Sequence, residues 1–327
     1  MKPAPKPSRP PIPVILLTGF LGSGKTTLLN RLLADGVKTA VVINEFGAEP
    51  VDQDLLQRQD TPLTVLSGGC LCCQVKGALA PTLKNLRMAW DAATDKPFER
   101  VVIETSGVAS PEPILDTLLR ERWLAGRYRL QAVLTTLAIP AALDQLDRFP
   151  EAAAQVAWAD RLLLTHADLA DAEQQTALAE RLRQLAPATP SDLLRPDAAI
   201  PPDLCSGNAR RFRLLPANAQ PTHEFRSLSL RLTEAPAWTQ LETVLLALLA
   251  RHPDLLRIKG VVYLAGRAEP VAIQAAGQRL YPPAALPPRH EGDLYGRLVF
   301  IVSGTTDALA ADLATAFGSG AHIRTPR

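Results

Sequence analysis

A short glycine-rich segment carries the clearest chemical signal in the sequence. Residues 19–26 read GFLGSGKT, which matches the pattern G-x-x-x-x-G-K-[ST] of a phosphate-binding loop. Glycines let the backbone N–H groups wrap a phosphate, and a lysine ammonium at this position attracts the β- and γ-phosphates. The predicted nucleotide-binding residues of this segment are Gly22, Ser23, Gly24, Lys25, Thr26 and Thr27. Lys25 is also predicted to assist hydrolysis of the bound nucleotide.

A carboxylate at the end of a second apolar run is placed to work with this loop. Glu104 ends the run VVIE and is followed by TSG. Acidic residues at such strand ends hold Mg²⁺ or its water shell in nucleotide hydrolases, and a threonine hydroxyl completes the site. We therefore predict Thr26 and Glu104 as Mg²⁺ ligands, and Gly107 as a backbone contact to the γ-phosphate. The alternative is a strand-end glutamate that faces solvent.

Three cysteines form the other chemical signal. Cys70, Cys72 and Cys73 follow a glycine pair, and three thiolates at this spacing on a glycine turn can converge on one soft cation such as zinc. Zinc prefers four ligands, and Glu45, Asp52, a histidine or water could supply the fourth. Two alternatives remain open, because free cysteines are often small buried hydrophobes and neighbouring cysteines can form a redox pair.

The elements around these motifs predict a mainly parallel sheet. Short apolar runs at 13–18, 38–47, 62–66, 100–107, 129–137 and 161–165 alternate with helical patterns. Strands that alternate with helices indicate βαβ units, and ligands bind at the carboxyl ends of such strands. One helix is expected over 78–90, with Pro81 near its start.

The second half of the chain has a different pattern. Periodicity fades over about 187–222, where proline and alanine dominate, and then alternating strands and two helices follow. We predict a Pro-rich tail over 1–12, a nucleotide-binding domain over 13–190, a linker over 191–222, and a smaller α+β domain over 223–327. Two residues near the linker, Cys205 and His223, are expected to be an inert thiol and a surface or structural histidine.

Composition excludes several other classes of protein. The 327 residues carry a formal net charge of +2, which gives no indication of nucleic-acid or anionic-membrane binding. No apolar run approaches the roughly 20 residues of a membrane span, and the first residues lack the apolar core of a signal peptide. A cytoplasmic location is expected.

Taken together, the motifs resemble the CobW-type GTPases, which are grouped with the nickel chaperones of urease and hydrogenase. The resemblance rests on GFLGSGKTTLL, NEFG at 44–47, GGCLCC at 68–73, ETSG at 104–107 and RIKGVVYLAG at 257–266. It runs from about residue 13 to the end and implies a GTPase domain followed by a CobW-type C-terminal domain. It also implies that Cys70, Cys72 and Cys73 bind zinc or a similar metal, with Glu45 near both nucleotide and metal. We predict Glu45 as a further ligand of that metal and, with Lys25 and Glu104, as a catalytic residue.

The sequence departs from this family at the segment that reads guanine. Where the family has Asn-Lys-x-Asp or Thr-Lys-x-Asp, this chain has Thr165-His166-Ala167-Asp168. Asp168 can still accept hydrogen bonds from guanine, and His166 can stack on the base. Family members often carry an aspartate at the end of the strand that follows ETSG, and here that strand reads AVLTTLAIP, with no acid. The segment AEPVDQDL also differs from the usual one after NEFG.

The sequence thus predicts a GTP-hydrolysing metal chaperone that couples its nucleotide state to binding or delivery of zinc. Mg²⁺ is the expected cofactor, an unidentified metalloprotein the client, and a homodimer is suggested by analogy alone. An ATP-using enzyme of the same fold and a non-catalytic metal buffer or sensor are the alternatives.

Overall fold

Buried apolar strands build a parallel sheet in the first half of the chain. The computed structural model describes residues 10–46, 63–68, 71–195, 198, 200–201, 203–205, 225–276, 278–286 and 296–324, with the backbone alone for 44–46, 63–68 and 71–77. The strands of this sheet are β1 (Ile12–Gly19), β2 (Thr39–Phe46), β3 (Leu63–Gly68), β4 (Arg100–Glu104), β5 (Tyr128–Ala138), β6 (Arg161–Thr165) and β7 (Ser191–Leu193). They lie in the order β3-β2-β4-β1-β5-β6-β7, and every pairing is parallel.

Helices cover both faces of this sheet. They are α1 (Lys25–Leu33), α2 (Leu71–Ala92), α3 (Glu112–Arg120), α4 (Arg122–Ala125), α5 (Ile139–Arg148), α6 (Pro150–Trp158) and α7 (Ala172–Leu185). The four residues of β1 from Val14 to Leu17 have no exposed surface, as expected for a central parallel strand that packs on two sides. The α/β prediction for this half of the chain is confirmed.

Two elements differ from the predicted ones. Pro81 lies inside α2, which begins at Leu71, so the prediction of Pro81 near the helix start is wrong. An interior proline removes one backbone donor, but Leu79 and Leu83 pack into the core on the same helix, and such packing supplies most helix stability. In addition, β7 lies within the predicted linker segment and pairs with β6, which extends the sheet to residue 193.

An antiparallel sheet forms the second half of the chain. Its strands are β8 (Phe225–Leu232), β9 (Leu255–Val262), β10 (Val271–Ala276), β11 (Arg279–Leu280), β12 (Ala284–Ala285), β13 (Arg297–Ser303) and β14 (Ala321–Arg324). The order is β11-β10-β9-β13-β8-β14, with β12 also paired to β10. Two helices, α8 (Trp238–Arg251) and α9 (Asp307–Phe317), share one apolar cluster with the sheet. This is the α+β arrangement that the alternating pattern predicted.

The two sheets share a continuous apolar cluster. Phe20 and Leu21 of the phosphate-loop segment belong to the same cluster as Leu256, Val299 and Ile301 of the second sheet. Phe20 also stacks on Phe149 at 4.8 Å between ring centroids. The second sheet therefore packs directly over the phosphate-loop segment.

Among the described helices, none combines the length and the apolar character that crossing a membrane requires.

Candidate functional site

A cavity of about 240 Å³ lies between the two sheets, at the phosphate-loop segment. The carboxyl ends of β1, β4 and β6 open onto it from one side, which is where ligands bind in parallel sheets. The second sheet closes it from the other side. The lining residues from the first half of the chain are Leu21, Gly22, Gly24, Lys25, Thr26, Thr27, Glu104, Thr105, Ser106, Gly107 and His166. Those from the second half include Arg257, Lys259, Ala272, Gln274 and Tyr281.

Hydroxyl groups fix the phosphate-loop segment to the neighbouring strands. The Ser23 and Thr136 hydroxyls are 2.6 Å apart, and the Thr165 hydroxyl donates to the Ser23 carbonyl oxygen at 2.9 Å. Ser23 is fully buried and Thr165 is nearly so. These two side chains were predicted to bind nucleotide. In the structure they hold the loop, and the Ser23 backbone N–H donates to the Phe20 carbonyl.

Glycine is required at Gly22 for two separate reasons. Its φ of +78° lies in the left-handed region, which side chains other than glycine rarely adopt. A Cβ there would also lie 2.2 Å from the Ala276 Cβ on β10. The loop and the second sheet are thus in direct contact at this position.

Gly107, a predicted γ-phosphate contact, lies against the loop itself. A Cβ at this position would meet the Leu21 backbone nitrogen at 2.9 Å. Gly107 therefore lets the segment after β4 approach the loop closely, and it lines the cavity; its contact with the γ-phosphate stays a prediction.

Lys25 is the buried cation of the site, with 9% of its surface exposed. Its ammonium donates to the carbonyl oxygens of Gly19 at 2.7 Å and Phe20 at 3.1 Å. Burial lowers the pKa of Lys25 to about 7, against the opposing attraction of Glu104, and the nearby charges of Arg257 and Lys259 lower it further. An anion in the cavity would reverse this shift by favouring the charged ammonium.

Thr26 and Glu104 meet as a pair of hard oxygen donors. The Thr26 hydroxyl donates to the Glu104 Oε1 at 3.1 Å, and Glu104 is 2% exposed. The register of β1 with β4 pairs Leu17 with Glu104, which places this carboxylate beside the start of the loop. A hydroxyl and a carboxylate next to a phosphate loop are the oxygen ligands that Mg²⁺ takes in proteins.

The segment predicted to read guanine follows β6. His166 has a φ of +56° and its Nδ1 lies 2.8 Å from the Thr165 hydroxyl. Burial lowers the pKa of His166, which leaves the ring neutral at pH 7. Its ring lies 5.7 Å from that of Tyr281, a residue of the second half of the chain. Asp168 follows in a 3₁₀ turn, Ala167–Leu169, and is not among the described residues that line the cavity.

The sequence-based prediction missed the residues that the second sheet supplies. Arg257 and Lys259 on β9, Gln274 on β10, and Tyr281 all line the cavity. A signal was present, because Arg257 and Lys259 are two residues apart in an otherwise apolar strand and so share one face. A solvent-exposed face explains such a pattern equally well, and only the packing of the second sheet over the loop distinguishes the two.

The predicted zinc ligands fall mostly outside the described side chains. Cys70 and Asp52 lie outside the described residues, as does His223. Cys72 and Cys73 lie in the first turn of α2, so their backbone is helical where a turn was expected. The backbone of Glu45 pairs with Ser67, which brings the end of β2 next to the segment that leads to the cysteines. Among the described side chains, no cluster of three histidine, cysteine or acidic residues is present.

Cys205 is a cysteine whose side chain the structure describes. It is partly buried and packs against the cluster that covers α1, and burial raises the pKa of its thiol. A thiol held in its protonated form is a poor nucleophile and metal ligand.

Comparison with known proteins gives consistent matches along the chain. The family model of the CobW/HypB/UreG nucleotide-binding domain matches residues 13–191, and that of the cobalamin synthesis protein CobW C-terminal domain matches residues 225–317. The chain is 34% identical over 283 residues to the zinc chaperone YjiA of Escherichia coli K12, covering 83% of this chain and 87% of that protein. It is 30% identical over 322 residues to the zinc chaperone CobW of Pseudomonas aeruginosa PAO1, covering 82% and 81%.

Solved structures include a related protein of similar length. The crystal structure of Zn(II)-bound YjiA GTPase from E. coli aligns with a TM-score of 0.46 and 28% identity, covering 94% of this chain and 99% of that one.

Proposed function

This chain belongs to the CobW/HypB/UreG family, as its motifs indicated, and from that premise we propose that it is a GTP-hydrolysing zinc chaperone. The observation that carries the proposal is the cavity at residues 19–27, where Lys25 and the Thr26–Glu104 pair face the same space. Relatives that match more than four-fifths of the chain are named zinc chaperones.

The residues of the loop supply positioning and charge. Lys25 leaves its carbonyl partners, Gly19 and Phe20, and binds the β- and γ-phosphates, while the backbone of Gly22 and Gly24 wraps them. The helix that begins at Lys25 adds the positive end of its dipole. His166 and Asp168 hold the guanine base.

Thr26 and Glu104 would hold the Mg²⁺ that accompanies the nucleotide. When bound, this ion neutralises charge on the phosphate oxygens. The chemistry of the donor pair fits it, since both atoms are oxygens and one is a buried carboxylate.

Zinc is the cargo in this proposal and Cys70, Cys72 and Cys73 are its ligands, with Glu45 linking the two sites. The pairing of Glu45 with Ser67 supports that link, because Ile43 on the same strand pairs with Glu104 of the nucleotide site and β3 precedes the cysteines. Hydrolysis would change the affinity for zinc before delivery to a client metalloprotein.

GTP turnover by the metal-free protein tests the enzymatic part of the proposal. We expect measurable release of phosphate from GTP, a lower rate with ATP, and loss of turnover in Lys25→Ala. Equal rates with ATP would show that the Thr165–Asp168 segment does not select guanine. Turnover that survives Lys25→Ala would contradict the assigned site.

Zinc coupling is tested with a variant in which Cys70, Cys72 and Cys73 are all serine. We expect stoichiometric zinc to change the GTPase rate of the wild type and to leave the rate of the triple variant unchanged. If both proteins hydrolyse GTP alike and neither retains zinc, the chaperone proposal fails and the hydrolase remains.

A further inference from the structure

We propose that Arg257, on strand β9 of the second sheet, is a catalytic residue that contacts the triphosphate and stabilises the transition state of its hydrolysis. The inference rests on the proposed GTPase function and deepens it. It assigns to the second half of the chain a direct part in the reaction.

The position of Arg257 relative to the phosphate loop is the first support. Its Nη1 lies 3.3 Å from the place that a Cβ on Gly22 would occupy, so the guanidinium lies beside the loop at this residue. In register, Arg257 pairs with Ala276 on β10 and with Ile301 on β13. Both neighbours are apolar and buried, and the side chain leads from the strand towards the cavity it lines.

The charges around the cavity are the second support. Its described lining contains three basic side chains, Lys25, Arg257 and Lys259, against one carboxylate, Glu104. Lys259 is 9% exposed and lies on the same face of β9, in register with Gln274 and Val299. An excess of cations over carboxylates in the described lining favours an anionic ligand, and a triphosphate is the anion proposed for this loop.

Gln274 is the third support, as a positioning residue. The Arg257 Nη2 donates to the Gln274 Oε1 at 3.1 Å, and Gln274 lines the same cavity. An arginine fixed by a neutral amide keeps its full charge for a ligand, whereas an ion pair with a carboxylate would neutralise it.

The step that Arg257 assists is the hydrolysis of GTP to GDP and phosphate. A water oxygen forms a bond to the γ-phosphorus as the bond to the β–γ bridging oxygen breaks. The electron pair of that bond stays on GDP, and the proton of the water passes to the phosphate products. Negative charge increases on the β–γ bridging oxygen and on the other β-phosphate oxygens, and a planar guanidinium can donate two hydrogen bonds to oxygens of the triphosphate.

Single-turnover hydrolysis of saturating GTP tests the assignment in the full-length protein. Arg257→Ala should lower the rate constant about 100-fold to 1000-fold, as for loss of one transition-state donor, and weaken GTP affinity less than tenfold. Arg257→Lys should still lower the rate at least tenfold, because lysine keeps the positive charge but cannot donate two parallel hydrogen bonds as a planar guanidinium does. GDP with aluminium fluoride should bind tightly to the wild type and weakly to Arg257→Ala.

Matched variants separate a catalytic role from a structural one. Arg267→Ala removes an exposed arginine of the same half of the chain and should change the rate less than twofold. Gln274→Leu keeps Arg257 and removes its acceptor, and we expect a fall of about tenfold in the rate with unchanged GDP affinity. Melting temperatures of all variants identify any that fail to fold. If Arg257→Ala fails to fold, the rates of Arg257→Lys and Gln274→Leu test whether Arg257 is catalytic.

Two results would contradict the role of Arg257 and leave the proposed GTPase function intact. One is a single-turnover rate of Arg257→Ala within threefold of the wild type while Lys25→Ala abolishes turnover. The other is a loss of GTP and GDP affinity with an unchanged rate at saturation, which would make Arg257 an anchor only. A wild type without GTP turnover would overturn both this inference and the proposed function.

Discussion

The affinity of this site for an anion depends on the charges of a few individual side chains. Lys25 is buried among other cations, and Glu104 is the carboxylate that opposes them. Neither residue can be understood from the loop motif alone, because Arg257 and Lys259 come from a distant part of the chain. Two predictions concern these single groups.

Nucleotide affinity should fall as pH rises above 7. In the nucleotide-free protein burial lowers the pKa of Lys25 to about 7, and phosphate raises it by favouring the charged form. Below pH 7 the ammonium is already protonated and affinity is flat. Above pH 7 binding must take up a proton, so affinity falls up to about tenfold per pH unit.

A fluorescent GTP analogue titrated between pH 6 and 9 measures this dependence. Lys25→Arg serves as the control, because its guanidinium stays protonated and any remaining slope belongs to the nucleotide. Parallel curves for the wild type and Lys25→Arg would contradict the assigned pKa.

Glu104→Gln should weaken the use of Mg²⁺ with little loss of stability. The amide keeps the size of the side chain and an oxygen that can accept from Thr26, but it removes the charge that attracts the ion. We expect the Mg²⁺ concentration for half-maximal GTPase activity to rise at least tenfold. An unchanged Mg²⁺ dependence would remove Glu104 from the ligand set.

At the scale of elements, the phosphate-loop segment is held by β5, β6 and β10 together. Hydroxyls of Thr136 and Thr165 bind it from the first sheet, and Ala276 contacts it from the second. Thr136 lies two residues before the end of β5, and its hydroxyl pairs with that of Ser23. The loop is therefore a junction between three strands.

Gly22→Ala should disturb this junction more than backbone strain alone explains. Gly36 has a similar φ of +88° and open space around it, so Gly36→Ala reports the strain without a clash. We expect Gly22→Ala to lower both the melting temperature and GTP affinity clearly below the values for Gly36→Ala. Adding Ala276→Gly should restore part of the loss, because it removes the atom that the new methyl meets.

Equal melting temperatures for Gly22→Ala and Gly36→Ala, measured by calorimetry, would show that the second sheet does not press on the loop in solution.

The sequence predicts those elements that are determined by residues close together in the chain, and it does not predict contacts between distant parts of the chain. The loop motif, the strand ending at Glu104 and the parallel sheet follow from local patterns of apolar residues and glycine. The helix through Pro81 was mispredicted because tertiary packing of Leu79 and Leu83 outweighs a local preference. The parts of the cavity from Arg257, Lys259 and Gln274 depend on how two sheets face each other, and no local pattern encodes that.

At the scale of the whole molecule, a shared apolar cluster joins the two sheets around the cavity. Phe20 and Leu21 bury themselves against Leu256 and Ile301, so the loop that binds phosphate is also part of the interface. A ligand bound in the cavity is therefore expected to stabilise both sheets.

GTP with Mg²⁺ should slow hydrogen exchange in β9 and β10 as well as in the loop. The reason is that a ligand which bridges both halves lowers the frequency of their separation. Exchange measured by mass spectrometry on peptides covering 255–262 and 271–276 checks this, with Lys25→Ala as the control that binds less nucleotide. Protection confined to 12–46 and 100–107 would contradict a bridged site.

The contact between Gly22 and Ala276 has a consequence for recombination between relatives. A chimera that joins this phosphate loop to the second sheet of another protein would keep every residue of the recognised motif. It would nevertheless receive a different set of cations and a different surface against Gly22. Exchange of the second half of the chain would thus replace some of the side chains that face the phosphates. The hydrolysis rate of such a chimera should therefore depend on both of the proteins from which it is made.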